Sequence, residues 1–235
     1  MTNEAKLADF FMLSCHFSEL PAYEYNEHLG MQGMLNREYI PMFSKLYRGY
    51  AKRALEEFYE NYFADKDYTH WGDKMVSLSS AADLRAAWPD MKFVVIVRDA
   101  RDVACSLLKY LQRPGVKETH GEIVGYSARQ HAEVWRKTYQ EVLDYVDEFH
   151  TVRYEDVMAD RFGEVEKILD YLGLEMDDAV RAAIDSNNTF KGHGTSTSVE
   201  SSMGKWQSEL PAEEIRAIDE SCGSLFDRFG YPRMS

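Results

Sequence analysis

The 235 residues carry 40 aspartates and glutamates against 27 lysines and arginines, a formal net charge of −13, and 45% of them are hydrophobic. That length and apolar content suit one globular domain with a real core over 1–235, and the acidic balance argues against a nucleic-acid partner, which calls for a basic face. The Met1-Thr-Asn-Glu-Ala-Lys6 start has no signal-peptide character, no apolar run nears the ~18 residues that span a bilayer, and Cys15, Cys105 and Cys222 lack metal-ligand spacing. A cytoplasmic protein with reduced thiols, no membrane partner and no metal is expected.

Residues 1–37 show no clear period; Pro21, Gly30 and Gly33 interrupt it. From Glu38 the period is helical, with Phe43, Leu46, Tyr47, Tyr50, Ala54, Leu55, Phe58 and Tyr62 on one face. This aromatic stripe reads as core, with an acceptor pocket as the other reading. Ser79 or Ser80 can cap a second helix that stops at Trp88-Pro89. Phe93–Val97, mostly β-branched and unbroken, reads as a strand covered on both faces, with a helix directly behind it.

Gln112–Gly121 holds Pro114, Gly115 and Gly121 and reads as a loop, followed by a long helix whose buried stripe is Trp135, Tyr139, Val142, Val146 and Phe149. Thr151–Tyr154 reads as a second short strand. Val165, Ile168, Leu169 and Leu172 mark a helix stopped by Gly173, and 187–204, rich in Ser, Thr and Gly, reads as a flexible loop. A last helix starts at Pro211 and buries Ile215, Ile218, Cys222, Leu225 and Phe229. Strands alternating with helices give a three-layer, helix-rich α/β fold around a mainly parallel central sheet.

The chemistry gathers at the end of the first strand. Arg98 stands where open α/β sheets bind their ligands. Ser106, eight residues on, lies one to two turns into the next helix. The guanidinium fork and the hydroxyl can converge on one anionic group. A plain strand-to-helix turn in which Arg98 pairs with Asp99 or Asp102 is the competing reading.

Arg98-Asp-Ala-Arg-Asp-Val-Ala-Cys-Ser106 resembles the 3′-phosphate-binding segment of the sulfotransferases, which move a sulfuryl group from 3′-phosphoadenosine-5′-phosphosulfate (PAPS) to an acceptor. Three further segments resemble that family in the same order: Trp71-Gly-Asp-Lys74, Val152-Arg-Tyr154-Glu-Asp-Val157, and Gly204-Lys-Trp206 with Leu210–Arg216 and Phe229-Gly-Tyr231. The similarity spans residues 68–232 and implies a P-loop-like fold. It also implies that Arg98 and Ser106 hold the 3′-phosphate, that Tyr154 lies by the adenine, and that Lys205 closes over the cofactor. PAPS, or its product 3′-phosphoadenosine-5′-phosphate, is then the co-substrate, and the acceptor is a hydroxyl or amine of a small molecule or glycan.

Two family features are missing. No Ser-Gly-Thr or Gly-Lys-Ser precedes Trp71, so the loop that cradles the 5′-phosphosulfate is not found. The nearest segment, Phe10–Glu19, has no glycine and no basic loop residue, Glu19 is acidic, and Pro21 removes a donor amide. The expectation is that the chain starts downstream of that loop or has lost it. The residue two after Lys74 is Val76, where phenol- and alcohol-specific members carry a histidine base. The catalytic candidates are therefore Lys74, as a cation facing the sulfuryl oxygens, and His70, whose imidazole can accept the acceptor's proton. Lys74 can equally be a surface lysine paired with Asp73, and His70 an exposed turn residue. Two functions compete: a sulfotransferase, and a family member that binds 3′-phosphoadenosine without transfer. A P-loop kinase is disfavoured by the absence of Gly-x-x-x-x-Gly-Lys-Ser/Thr.

Overall fold

In a computed structural model, the carboxyl-terminal part of the chain is built around two parallel strands, β1 (Val94–Val97) and β2 (His150–Arg153). Residues 39–65, 70, 72, 74, 81–116, 121–140, 143, 148–186 and 202–234 are described. Contacts divide the chain into two units, Met1–Met91 and Lys92–Ser235.

The first unit contains α1 (Tyr39–Tyr62) and α2 (Ala81–Ala87). Pro41 falls in the first turn of α1, where its missing N–H costs no helical bond. Leu55 and Tyr59, one turn apart on α1, are buried, as are Ala81 and Leu84 of α2. Trp88 donates its Nε1 proton to Glu56 Oε1 at 2.9 Å. The expected aromatic core stripe is corrected here: Leu46, Tyr50, Phe58 and Tyr62 are exposed. Phe58 and Tyr62 instead stack on each other at 5.7 Å. The side chains of Phe43 and Tyr47, and the Ser79 or Ser80 cap, lie outside what is described.

The second unit runs β1, α3 (Ala100–Tyr110), a 3-10 turn (Gly121–Gly125), α4 (Ala128–Gln140), β2, α5 (Tyr154–Ala159), α6 (Arg161–Leu172), α7 (Asp178–Ser186), α8 (Trp206–Glu209) and α9 (Ala212–Phe229). The register pairs Val94 with His150 and Val97 with Arg153. Alternation along β1 buries Val95 and Val97 but leaves Ile96 57% exposed, so only one face of this strand is covered and the expectation of two is overturned. Val97 packs with Ala132 and Trp135 of α4 and with Ile218, Cys222, Phe226 and Phe229 of α9 in one core cluster. All five residues expected to be buried on the last helix are buried, although Pro211 is its cap and Ala212 its first residue.

The edge of β1 away from β2 is met by side chains. Phe93 C=O points to β2 and accepts from His150 N–H at 3.0 Å. Alternation turns the carbonyls of Ile96 and Arg98 the other way. Tyr139 O–H reaches Ile96 C=O at 2.8 Å, and Trp135 Nε1–H reaches Arg98 C=O at 2.9 Å. Two residues one helical turn apart on α4 thereby satisfy the outward carbonyls.

Other expectations shift locally. The long helix is described over Ala128–Gln140; Phe149 lies at the entrance to β2 and packs on Phe93 at 4.8 Å, while Val142 and Val146 are outside the described residues. Part of the expected 112–121 loop is described, and Gly121 itself opens the 3-10 turn. Gly173, at φ 79°, ends α6 as expected. Among the described residues no helix is long and apolar enough to cross a membrane, and no group of His, Cys, Asp or Glu could hold a metal ion.

Candidate functional site

The register of the two strands places Arg98 beside Tyr154. Val97 faces Arg153 in the ladder, so the next residue of each strand sits at the same carboxyl edge. The Arg98 guanidinium lies over the Tyr154 ring, 4.5 Å from its centroid. Tyr154 is the first residue of α5 instead of the last of a strand, as the sequence had suggested. Its hydroxyl lies 3.2 Å from Ser202 Oγ.

Neither acidic neighbour of Arg98 hydrogen-bonds its guanidinium. Asp99 caps α3 by accepting Arg101 N–H at 2.9 Å, and its carboxylate also takes the Arg101 side chain at 2.9 and 2.7 Å. The Asp102 carboxylate accepts Gly204 N–H at 2.6 Å and Trp206 N–H at 3.2 Å. Arg98 Nη2 donates to the Ser202 carbonyl, and Arg98 Nε is buried with no hydrogen-bond partner. The plain turn reading, with Arg98 bonded to Asp99 or Asp102, is not what the fold adopts.

Ser106 lies one turn beyond Asp102 on the same side of α3. Its Oγ accepts from Lys205 Nζ at 2.7 Å. Lys205 is only 7% exposed, and burial followed by the nearby Arg98 charge lowers its pKa below the ordinary lysine value. Glu209 acts the other way, but its carboxylate is also the partner of Lys109. Burial raises the pKa of Asp102 even though two backbone amides oppose the rise.

The short strap Ser202–Trp206 thus joins the parts. Arg98 holds its beginning, Asp102 its backbone, and Ser106 its lysine. Of the expected 187–204 loop, 187–201 lie outside the described residues, whereas Ser202 is buried and Gly204 sits at φ 67°, a left-handed value that favours glycine. A half-buried arginine whose Nε–H is buried without an acceptor, a buried ammonium and a hydroxyl form a set of donors suited to an anion.

A second network fixes the turn below the site. Glu155 accepts Asp99 N–H at 3.1 Å with one oxygen and Tyr231 O–H at 2.8 Å with the other, so it ties the β1–α3 turn to α5 and the carboxyl terminus. Arg101, fully buried, stacks on Trp206 at 3.8 Å and donates to Asp99, Asp219 and the Pro232 carbonyl.

Of the candidate residues, Arg98, Ser106, Tyr154 and Lys205 belong to the second unit and meet at this strap. His70 and Lys74 belong to the first unit, where both are exposed. Asp102 and Ser202 were not singled out from the sequence as binding residues. The four-residue spacing from Asp102 to Ser106 was a visible signal, since it sets both on one helical face.

A family model described as the sulfotransferase family matches residues 28–178, well over half of the chain and including Arg98, Ser106 and Tyr154. With the small parallel sheet and its helices in place, that match is decisive for the fold: the chain belongs to the sulfotransferase family.

Proposed function

We propose that this protein binds PAPS by its 3′-phosphoadenosine end and passes the sulfuryl group to a hydroxyl or amine of a small molecule or glycan. Arg98 and Ser106 would hold the 3′-phosphate, with Lys205 closing over it and Tyr154 beside the adenine. The observation that carries this reading is the arginine itself. Arg98 Nε is buried and unpartnered, and both adjacent carboxylates are committed to other donors. Burying an arginine N–H without an acceptor is costly, and a phosphate oxygen supplies one. The net charge of −13 does not oppose this, because a local cluster of cations can hold an anion against the overall field.

In the transfer, the bond from sulfur to the phosphate oxygen breaks and its electrons remain on 3′-phosphoadenosine-5′-phosphate. A new bond forms from sulfur to the acceptor oxygen or nitrogen, and the acceptor proton leaves to a base. Lys74 is proposed to face the sulfuryl oxygens and His70 to take the proton. The protein is proposed to work in the cytoplasm.

A second reading is supported by Val76, two residues after Lys74, where the resemblance implies a histidine base. Under it the protein binds the 3′-phosphoadenosine end without transfer. Calorimetric titration with 3′-phosphoadenosine-5′-phosphate and with adenosine 5′-phosphate tests the shared part. The bisphosphate should bind more tightly, and Arg98→Ala should remove that preference, a loss of about 10- to 100-fold. An unchanged preference in Arg98→Ala would remove Arg98 from the 3′-phosphate. Release of 3′-phosphoadenosine-5′-phosphate from PAPS in the presence of phenol, amine and sugar acceptors then separates enzyme from binder.

A further inference from the structure

We propose that Asp102 is a positioning residue for the anion site: it holds the Ser202–Trp206 strap so that Lys205 stands on Ser106. This deepens the assignment of that site and rests on it for its ligand, but the strap contact is independent of any ligand. Three observations carry it. The Asp102 carboxylate is buried and spends both oxygens on the strap, one on Gly204 N–H at 2.6 Å and one on Trp206 N–H at 3.2 Å. Those two amides flank Lys205, so fixing them fixes the origin of its side chain. Lys205 Nζ then meets Ser106 Oγ at 2.7 Å, one helical turn from Asp102 on α3. One short stretch of α3 therefore supplies both the anchor of the strap and the partner of its lysine.

The charge pattern explains why a carboxylate stands at 102 although burying it is unfavourable. Lys205 and Arg98 repel each other, and left to itself a buried ammonium would swing away from a second cation. Two charge-assisted bonds to the strap backbone oppose that movement. The other end of the strap is placed differently. There the Ser202 carbonyl accepts from Arg98 Nη2, a neutral acceptor on the group assigned to the 3′-phosphate. An arriving phosphate, being charged, is the stronger acceptor and takes the guanidinium from Ser202. Asp102 keeps Lys205 in place while that exchange occurs.

The test has two arms. In the first, amide hydrogen exchange is followed in the full-length wild type, Asp102→Asn and Asp102→Ala without ligand. Exchange at Gly204 and Trp206 should speed up about tenfold or more in the variants, while the buried amides of α9 keep their protection. Unchanged exchange at 204 and 206, or a general loss of protection that includes α9 in both variants, would overturn the proposal. In the second arm, 3′-phosphoadenosine-5′-phosphate and adenosine 5′-phosphate are titrated into wild type, Asp102→Asn, Lys205→Met and the double variant. Asp102→Asn should weaken the bisphosphate about tenfold relative to the monophosphate, and should add less than about twofold once Lys205 is replaced. Fully additive losses would show that Asp102 acts by another route. Failure of the wild type to prefer the bisphosphate would sink the ligand assignment, leaving the exchange arm to decide the role of Asp102.

Discussion

Arg101 Nη1 donates to Asp219 Oδ1 at 3.0 Å, joining the first turn of α3 to the middle of α9 across 118 residues of chain. Both side chains are buried, and Arg101 carries Asp99 on its other edge. Arg101→Leu leaves the buried carboxylates of Asp99 and Asp219 without their cation and should lower stability by about 3–5 kcal/mol in urea unfolding. Asp219→Ala leaves Arg101 paired with Asp99 and should cost less. A loss under about 1 kcal/mol for Arg101→Leu would mean that solvent reaches the pair.

Trp135 is expected to matter through one hydrogen. Its Nε1–H meets the Arg98 carbonyl at 2.9 Å and so fixes the backbone of the residue assigned to the phosphate. Trp135→Phe keeps much of the packing against Phe226 and Phe229 but leaves that carbonyl without this donor. Stability should fall by about 1–3 kcal/mol, and preference for the 3′-phosphate should weaken with it. Stability lost with the preference intact would confine Trp135 to the core.

Tyr154 offers a graded test of the cation–ring contact. Tyr154→Phe retains a ring under Arg98 and loses only the hydroxyl near Ser202 Oγ. Tyr154→Ala loses both. Calorimetry with 3′-phosphoadenosine-5′-phosphate should find the alanine variant weaker than the phenylalanine variant by about 0.5–2 kcal/mol. Equal affinities would remove the ring from the site.

The start of α6 depends on a glycine that makes room. Asp160 Oδ1 caps the helix through Gly163 N–H at 3.0 Å, and a Cβ on Gly163 would come within 2.3 Å of Asp160 Oδ2. Asp160→Ala should cost about 0.5–2 kcal/mol. Gly163→Ala should destabilise the wild type by displacing the cap, yet should be neutral or stabilising in the Asp160→Ala background, where the helix propensity of alanine prevails. Thermal unfolding of the four proteins decides it, and additive effects would refute the clash.

Cys105 is buried near Asp102 and Glu209, and burial, foremost, pushes its thiol up from 9.0 to about 12. The folded state therefore keeps the proton more tightly than the unfolded chain. The stability contribution is complete below about 9.0 and is lost as pH rises toward about 12, so alkaline unfolding should steepen in that window. In a Cys15→Ser background, neither Cys105 nor Cys222 should react with an aromatic disulfide at pH 8 until denaturant is added. Rapid release from the native protein would show an open path to one of them.

Local rules go far in this chain because several elements follow from short stretches. β-branched Val94–Val97 makes a strand wherever it can pair, Gly173 ends a helix at its left-handed value, and the 3.6 period of 215–229 sets one buried face whatever covers it. The same local reading brought Arg98 to the strand end and Ser106 to the helix behind it, and the family match agrees with the resemblance those residues carried. Partners distant in sequence were another matter. Asp99, Asp102 and Arg101 stand within four residues of Arg98, and any of the carboxylates looked able to neutralise it. The fold assigns them by bringing Asp219, Gly204 and Trp206 to α3 from more than a hundred residues away. Burial makes those choices exclusive, because a carboxylate that has left water must spend its lone pairs on whatever donors tertiary packing supplies. The sequence alone determined that a strand would end at Arg98 and that the helix behind it would carry Ser106; only the tertiary structure decided that Arg98 would keep a buried N–H without an acceptor.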